Sequence, residues 1–206
     1  MLELQVTDEG LTRACEILRA GGVVAYPTET YYGLASDPFN SAALAHLFAL
    51  KGRSPDKPVL LIIDNPAQLS GLVSEIPPVF TIPMQQFWPG PLTLVFPAAA
   101  SLPEILTGYT GTIGVRVSSH PVARKLVRAF GLPVTATSAN ISGYPPAVTA
   151  IGVREQLGTA VDAVIDGGET PGGLGSTILD CCEGKIRLLR DGVIPFFRIE
   201  AALSGA

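Results

Sequence analysis

Apolar residues occur along this chain in two patterns, a helical spacing and short unbroken runs, and each pattern predicts a different kind of element. From Thr7 to Ala20 they return every three or four residues, as on one face of a helix, and two glycines then end the run. The same spacing predicts further helices over residues 41–50, 122–130 and 149–157. Residues 77–87 are interrupted by prolines and match neither pattern well.

Short, unbroken apolar runs predict strands that are buried on both faces. They cover residues 23–26, 59–63, 92–96, 113–117, 134–137, 161–165, 177–180 and 186–189. Helical stretches lie between several of these runs, and this alternation predicts an α/β fold. No repeat, low-complexity tract or linker divides the chain, so we expect one domain.

The composition limits the classes of function that the chain can have. Hydrophobic residues make up 47% of the 206 residues and charged residues only 16%, which favours a large core over disorder. The net charge of −4 argues against a generally basic nucleic-acid binder. An anion site must therefore be local and built from a few of the 14 lysines and arginines.

Cysteine and histidine usage gives no sign of a metal site. Cys15, Cys181 and Cys182 lack metal-ligand spacing, and the chain has only two histidines. The N-terminal residues show no basic segment followed by an apolar one, and the apolar runs are too short to cross a bilayer. We expect a cytoplasmic protein with reduced thiols and no membrane contact.

No common catalytic fingerprint is present. The phosphate-binding loop, the dinucleotide-binding glycine motif, the nucleophile elbow and the zinc-protease motif are all missing from the sequence. A Ser–His–Asp arrangement is hard to build, because His46 lies in a helical pattern and His120 precedes a proline at a predicted helix start. A site made of cations, hydroxyls and backbone amides fits better than a protein nucleophile.

Four polar segments follow or connect the predicted strands, where open α/β sheets collect their sites. The first, PTETYYGL from Pro27, is by itself more typical of a polar loop with a capping threonine. Another, TSANISG from Thr137, can bind phosphate or ribose through hydroxyls and an amide, or can form a helix cap or Asx turn. The last, DGGETPGGLGST from Asp166, permits an anion-binding nest, although glycine-rich loops are common.

The remaining segment, LKGRSPDKPVLLII, crowds three cations beside an apolar run. If Lys51 and Arg53 are extended, they point to the same side, and the glycine between them lets an anion approach. A lysine and an arginine together suit phosphate oxygens, but a solvated helix end explains the two residues equally well. Arg116 and Arg190 lie within or at the end of predicted strands, where an arginine usually meets an anion because burying it alone is costly.

Taken in order, these segments resemble the YrdC-like family of threonylcarbamoyladenylate synthases. The matching motifs are PTETYYGL, KGRSPDKP, WPGPLTLVFP, TIGVRV, TSANISG, GGLGSTILD and LLRDG, and they extend from Pro27 to Gly192. The resemblance implies a single domain, residues 1–206, with a twisted, mixed and mostly parallel sheet. Helices would flank this sheet around a concave cationic site.

The resemblance implies a nucleotidyltransferase that forms threonylcarbamoyl-AMP and pyrophosphate from L-threonine, bicarbonate or CO₂, and ATP. A threonylcarbamoyl transferase machinery would then modify an adenosine next to the anticodon of tRNA. Mg²⁺ would accompany the triphosphate of ATP, since it favours phosphate oxygens and water over an all-protein cage.

The resemblance also implies roles for individual residues. Lys51 and Arg53 would be the catalytic cations that face the phosphates. Nucleotide contacts are expected at Arg53, Lys57, Thr112, Ser138, Asn140, Pro146 and Arg190. Threonine contacts are expected at Thr30, Arg116, Ala136 and Ser176.

Three departures from the family are visible. Ser54 stands where the family has proline, and Ile62 stands where longer members have a histidine that contacts threonine. The chain also ends soon after LLRDGVIP, so the additional C-terminal domain of longer members is not expected.

Two other functions stay open. The family's cationic concavity can accept RNA, which allows a non-catalytic RNA-binding module and direct tRNA contact. A paralogue that makes another carbamoyl-type adenylate is the second alternative. The acidic net charge favours a small anionic ligand over RNA.

Overall fold

The computed structural model describes residues 1–205, in which seven α-helices and eleven β-strands are found. The helices are α1 (Asp8–Arg19), α2 (Ser41–Lys51), α3 (Thr81–Phe87), α4 (Glu104–Thr107), α5 (Pro121–Phe130), α6 (Ala150–Leu157) and α7 (Phe196–Ser204). The strands are β1 (Leu2–Gln5), β2 (Val24–Pro27), β3 (Tyr32–Ala35), β4 (Leu61–Ile63), β5 (Leu92–Pro97), β6 (Thr112–Val117), β7 (Val134–Thr135), β8 (Thr137–Ser138), β9 (Ala163–Asp166), β10 (Thr177–Cys182) and β11 (Lys185–Arg190). Short 3₁₀ helices cover Pro66–Gly71, Pro78–Phe80 and Gly158–Ala160.

The strands form two mixed sheets. One has the order β1-β9-β2-β3-β8 and the other the order β11-β10-β5-β6-β4-β7. The predicted α/β class, with mixed strands and flanking helices, is confirmed. The expected predominance of parallel pairing is not found: among residues 1–205, four strand pairings are parallel and five antiparallel. The reason is that short connections, such as the one between β10 and β11, place consecutive strands antiparallel.

Residues 134–138 belong to both sheets. β7 pairs with β4 in the six-stranded sheet, and β8 pairs with β3 in the five-stranded sheet. Between them, the N–H of Ala136 donates to the carbonyl oxygen of Leu60 at 2.7 Å. The single strand predicted over residues 134–137 is therefore divided, and it joins the two sheets.

Helices α1 and α5 begin and end where the sequence places capping residues. The Thr7 hydroxyl accepts from the N–H of Gly10 at the start of α1, and His120 Nδ1 accepts from the N–H of Val122 at the start of α5. Gly131 ends α5 with a φ of 79°, a left-handed conformation that glycine adopts at little cost. Both helices pack on the outer face of the five-stranded sheet.

Strand β2 is buried on both faces, and this explains its unbroken apolar sequence. Ala25 contributes to the large core shared by both sheets, while Val24 and Tyr26 contribute to the core beneath α1 and α5. The side chains alternate between the two cores because successive residues of a strand point to opposite faces. This burial fixes the end of β2, from which the PTET loop leaves.

Most predicted elements are found within a few residues of their predicted bounds, but β1, β3, α4 and α7 were not predicted. The most informative of these is β3, which lies inside the segment read as a polar loop. Tyr32 and Leu34 are fully buried there, so two hydrophobic side chains outweigh the polar residues that precede them. No helix within residues 1–205 is both long enough and apolar enough to cross a membrane. The bounds 1–206 of a single domain stay a prediction, and Ala206 lies outside the described residues.

Candidate active site

A cavity of about 360 Å³ lies where β3, β6 and the segment joining the two sheets meet. Arginine side chains and hydroxyl groups line it, together with the Asp191 side chain and glycine backbone. It contains eight of the residues to which the resemblance assigns a ligand: Thr30, Arg53, Arg116, Ala136, Ser138, Pro146, Ser176 and Arg190. Residues from six distant segments thus converge on one site, while their contacts with particular ligands stay predictions.

The other four assigned residues are Lys51, Lys57, Thr112 and Asn140, and they do not line this cavity. Lys57 is exposed, and its backbone carbonyl accepts from the Arg53 side chain at 3.3 Å. Thr112 begins β6, where its hydroxyl lies 2.9 Å from that of Thr110. Neither side chain shares the cavity with the residues above, so any nucleotide contact would need the ligand to extend beyond it.

Lys51 is the last residue of α2 and is buried. Its Nζ donates to the carbonyl oxygens of Ser138 and Asn140, the second at 2.8 Å, and lies 3.3 Å from Asn140 Oδ1. Of the two alternatives left open by the sequence, the extended segment is not found, because α2 continues through Lys51 and Gly52 turns the chain in a left-handed conformation. Lys51 thus lies at a helix end, although its side chain is buried rather than solvated. The ammonium group therefore joins α2 to the TSAN segment from behind the cavity.

Asn140 is also used within the protein. Its Oδ1 accepts from the Ser138 hydroxyl at 2.5 Å, and its Nδ2 donates to the carbonyl oxygens of Ile141 and Tyr144 at 2.9 and 2.6 Å. These contacts satisfy both ends of the amide, so the side chain fixes the shape of the loop after β8. Ser138, which does line the cavity, is held in place by Asn140.

Burial and, to a smaller extent, the positive charge of Arg53 together lower the pKa of Lys51 to about 7. Above that pH the unfolded chain binds more protons than the folded one, since an unfolded lysine has its ordinary pKa of 10.5. We expect the free energy of unfolding of the wild-type protein to rise relative to Lys51→Met between those two pH values, and to level off below about pH 7.

Urea denaturation at about pH 6, 7.5 and 9 measures this difference. Lys125→Met is the matched control, because Lys125 is exposed on α5, and it should follow the wild-type profile. Parallel profiles for wild type and Lys51→Met would contradict the assignment.

Arg53 reaches the cavity from the turn after α2. Its Nη2 donates to the carbonyl oxygen of Pro58 at 2.7 Å. Burial lowers the pKa of its guanidinium, and the carboxylate of Asp56 partly offsets this. Ser54, which replaces the family's proline, forms the turn itself, because its carbonyl oxygen accepts from the N–H of Lys57 at 3.2 Å. The turn therefore closes without that proline.

Arg116 is buried on β6, 6% exposed, and forms an ion pair with Glu29 of the PTET loop. Arg116 Nη1 lies 3.4 Å from Glu29 Oε1. The Ser118 hydroxyl donates to the other carboxylate oxygen, Glu29 Oε2. A guanidinium that is buried and also lines a cavity is suited to bind a carboxylate there.

Arg190 lies at the end of β11 and contacts Ser176 in the glycine-rich segment. Its Nε and Nη2 donate to the Ser176 carbonyl oxygen at 3.0 and 2.8 Å, and Nη2 lies 3.1 Å from the Ser176 hydroxyl. Burial and the positive charge of Arg116 lower its pKa. A Cβ at Gly175 would lie 3.0 Å from Arg190 Nη2, so a side chain there would press on the guanidinium and shift it.

Tyr31 and its neighbours connect the PTET loop to the glycine-rich segment, although neither the residue pattern nor the resemblance gives Tyr31 a role. The Tyr31 hydroxyl donates to the Gly173 carbonyl oxygen at 2.7 Å, and the Gly172 N–H donates to Thr30 at 2.8 Å. The Thr28 hydroxyl, another unassigned group of the cavity, lies 3.1 Å from that of Thr30. Tyr31 and Thr28 belong to the PTETYYGL motif, which was already assigned to the site, and this was the only indication of their role in the sequence.

Ile62 does not line the cavity. It is fully buried in the core beneath α1 and α5, paired with Arg116 in the register of β4 and β6. Leu60, two residues earlier, does line the cavity. Any effect of Ile62 on ligand selection would therefore act through the packing of β4 rather than by contact.

The described residues contain no group of three or more His, Cys, Asp or Glu side chains that could hold a metal ion. Cys15, Cys181 and Cys182 are free thiols.

Comparisons with known proteins identify relatives of this chain. Residues 16–192 match the Sua5/YciO/YrdC family model, which is described as "Telomere recombination". The threonylcarbamoyl-AMP synthase of Pyrococcus abyssi is 40% identical over 190 residues, 92% of this chain and 56% of that protein. The Thiobacillus denitrificans protein of the same name is 45% identical over 169 residues, 82% of this chain and 89% of that one.

A solved structure of P. abyssi Sua5 complexed with L-threonine superposes with a TM-score of 0.93 at 37% identity, covering 98% of this chain and 60% of that one. The chain thus spans little more than half the length of its Pyrococcus relative. Fold and site together define an α/β protein with a cavity lined by arginine and hydroxyl-bearing residues. The chain belongs to the Sua5/YciO/YrdC family.

Proposed function

We propose that this chain forms threonylcarbamoyl-AMP and pyrophosphate from L-threonine, bicarbonate or CO₂, and ATP, for the modification of tRNA. The observation that carries the proposal is the convergence of Arg53, Arg116 and Arg190 with serine and threonine hydroxyls on one cavity. Its size is within the range of small-molecule sites. The fold is shared with a protein solved in complex with L-threonine.

In this proposal Arg116 and Arg53 bind different substrates. The guanidinium of Arg116 would bind the carboxylate of threonine, with the Thr30 and Ser176 hydroxyls beside it. Arg53 would bind the phosphates of ATP, with Ser138 beside it in the same cavity. The amine of threonine takes up CO₂ and loses a proton, giving an N-carboxylate.

One oxygen of this N-carboxylate attacks the α-phosphorus of ATP, and the bond from that phosphorus to the bridging oxygen breaks, releasing pyrophosphate. The protein supplies orientation and fixed positive charge rather than a nucleophile. Mg²⁺ would arrive with the triphosphate and neutralise part of its charge. The metal requirement, the transferase that accepts the product, tRNA contact and a cytoplasmic location stay predictions.

Pyrophosphate release tests the proposal directly. With ATP and bicarbonate present, we expect release to depend on L-threonine and to be much weaker with serine or alanine, and mass spectrometry should detect threonylcarbamoyl-AMP. Turnover that is independent of the added amino acid would remove the assigned activity. Binding of RNA with a steep salt dependence, and without pyrophosphate release, would instead support the RNA-binding alternative.

A further inference from the structure

We propose that Glu29 is a positioning residue: its carboxylate holds the guanidinium of Arg116 toward the cavity and so sets the affinity for the carboxylate of the amino-acid substrate. This inference rests on the proposed function, in which Arg116 binds threonine. It adds a residue that neither lines the cavity nor is assigned a ligand above.

Glu29 occupies the middle of the PTET loop, and Thr28 and Thr30 on either side of it line the cavity. Its own side chain does not line the cavity and is 11% exposed, against 7% for the side chain of Arg116. The two side chains meet at 3.4 Å, between Glu29 Oε1 and Arg116 Nη1. The carboxylate therefore lies behind the guanidinium, away from the space where a ligand would bind.

The contact leaves hydrogen-bonding capacity unused. In the described residues, neither Glu29 Oε1 nor Arg116 Nε has a hydrogen-bond partner, although both atoms are buried. Charge attraction rather than an ideal hydrogen bond thus holds the pair, and the guanidinium keeps donors that a ligand can use. Unpaired buried polar atoms cost free energy. Binding a carboxylate at Arg116 should therefore be more favourable than binding one at a solvent-exposed arginine.

Arg116 also needs a counter-charge because a second cation is near. Its positive charge lowers the pKa of Arg190, which lines the same cavity. Two guanidinium groups in one cavity repel each other, and a carboxylate behind one of them offsets part of that repulsion. Without Glu29, Arg116 would be free to turn away from Arg190 and from the ligand.

The protein also fixes the carboxylate itself. The Ser118 hydroxyl donates to Glu29 Oε2 and accepts from the N–H of His120 at 3.2 Å. The remaining titratable neighbour, the His120 ring, is partly buried; burial lowers its pKa, which favours its neutral form, and the charge of Glu29 offsets part of this. The sequence from β6 to the start of α5 therefore supports Glu29, which in turn supports Arg116.

Glu29→Gln tests the inference, because it removes the charge while keeping the shape of the side chain. We expect the KM for threonine to rise about tenfold or more, with the KM for ATP changed by less than about twofold. Calorimetric titration of threonine into the protein without ATP should show the same loss of affinity. Ser118→Ala should weaken threonine binding in the same direction by a smaller factor, and Glu29→Asp should restore part of it.

Glu75→Gln is the matched control, since Glu75 is an exposed glutamate outside the site, and it should behave as wild type. A purely structural role of Glu29 would lower the melting temperature and the kcat without separating the two KM values, and that result would overturn the inference. If Glu29→Gln does not fold, equal threonine affinity of Ser118→Ala and wild type would overturn it. If wild type itself binds no threonine, the proposed function fails together with this inference; if wild type and Glu29→Gln bind threonine equally, only the role of Glu29 fails.

Discussion

Replacing Arg116 by methionine should remove most of the affinity for threonine while ATP still binds. The guanidinium is buried at the cavity wall, and methionine fills a similar volume without offering a donor to a carboxylate. Truncating one partner of a buried, charged hydrogen bond costs about 2–5 kcal/mol, which corresponds to an increase of about 30-fold or more in the KM for threonine. Pyrophosphate release at varied threonine and varied ATP measures both requirements.

Loss of the Arg116 charge also leaves Glu29 buried without its partner, so stability has to be measured alongside activity. Removing one member of a buried ion pair costs about 3–5 kcal/mol of stability. The double variant Glu29→Gln, Arg116→Met should recover much of that stability without recovering threonine binding. Equal impairment of the threonine and ATP requirements in a folded Arg116→Met protein would count against the role of Arg116.

Replacing Arg53 by methionine should have the opposite effect: the use of ATP should be impaired while threonine still binds. Arg53 lines the cavity at the turn where we place the phosphates, and its guanidinium is held by the Pro58 carbonyl oxygen. Losing a preorganised electrostatic donor costs about 2–4 kcal/mol in the transition state, so kcat/KM for ATP should fall by about 30-fold to 1,000-fold. Threonine affinity measured without ATP should stay within about twofold of wild type.

Arg13→Met is the matched control for Arg53→Met, since Arg13 is an exposed residue of α1 whose ion pair with Glu16 lies on the surface. It should leave both substrate requirements unchanged. An Arg53→Met protein with normal kcat/KM for ATP would show that the phosphates bind elsewhere in the cavity.

Hydrophobic spacing predicted most of the fold because most elements bury either a helix face or a complete strand. Its failures have local causes. Tyr32–Ala35 was read as part of a polar loop, since the buried side chains of β3 follow a run of polar or turn-forming residues. The pairing directions could not be read from apolar runs, because a strand buried on both faces has the same composition whether its neighbours are parallel or antiparallel.

The candidate site was predicted best for residues whose type and position in the sequence already indicate a binding role. Arg116 and Arg190 were singled out because an arginine within or at the end of a short apolar strand usually meets an anion, and both line the cavity, although β11 itself is largely exposed. Lys51 could not be placed from sequence, because the two-residue spacing to Arg53 gives a shared direction only in an extended chain, and α2 extends through Lys51. Glu29 carried no separate signal, since its importance depends on a contact with β6 that is distant in sequence.

The five residues from Val134 to Ser138 tie one sheet to the other directly beside the cavity, with Ala136 at the crossing. Widening the cavity at this wall would require breaking backbone hydrogen bonds in both sheets at once. A larger amino acid could therefore not be accommodated by displacing this wall. On the proposed function, efforts to accept a larger amino acid should instead alter other side chains that line the cavity, which can change without separating the two halves of the fold.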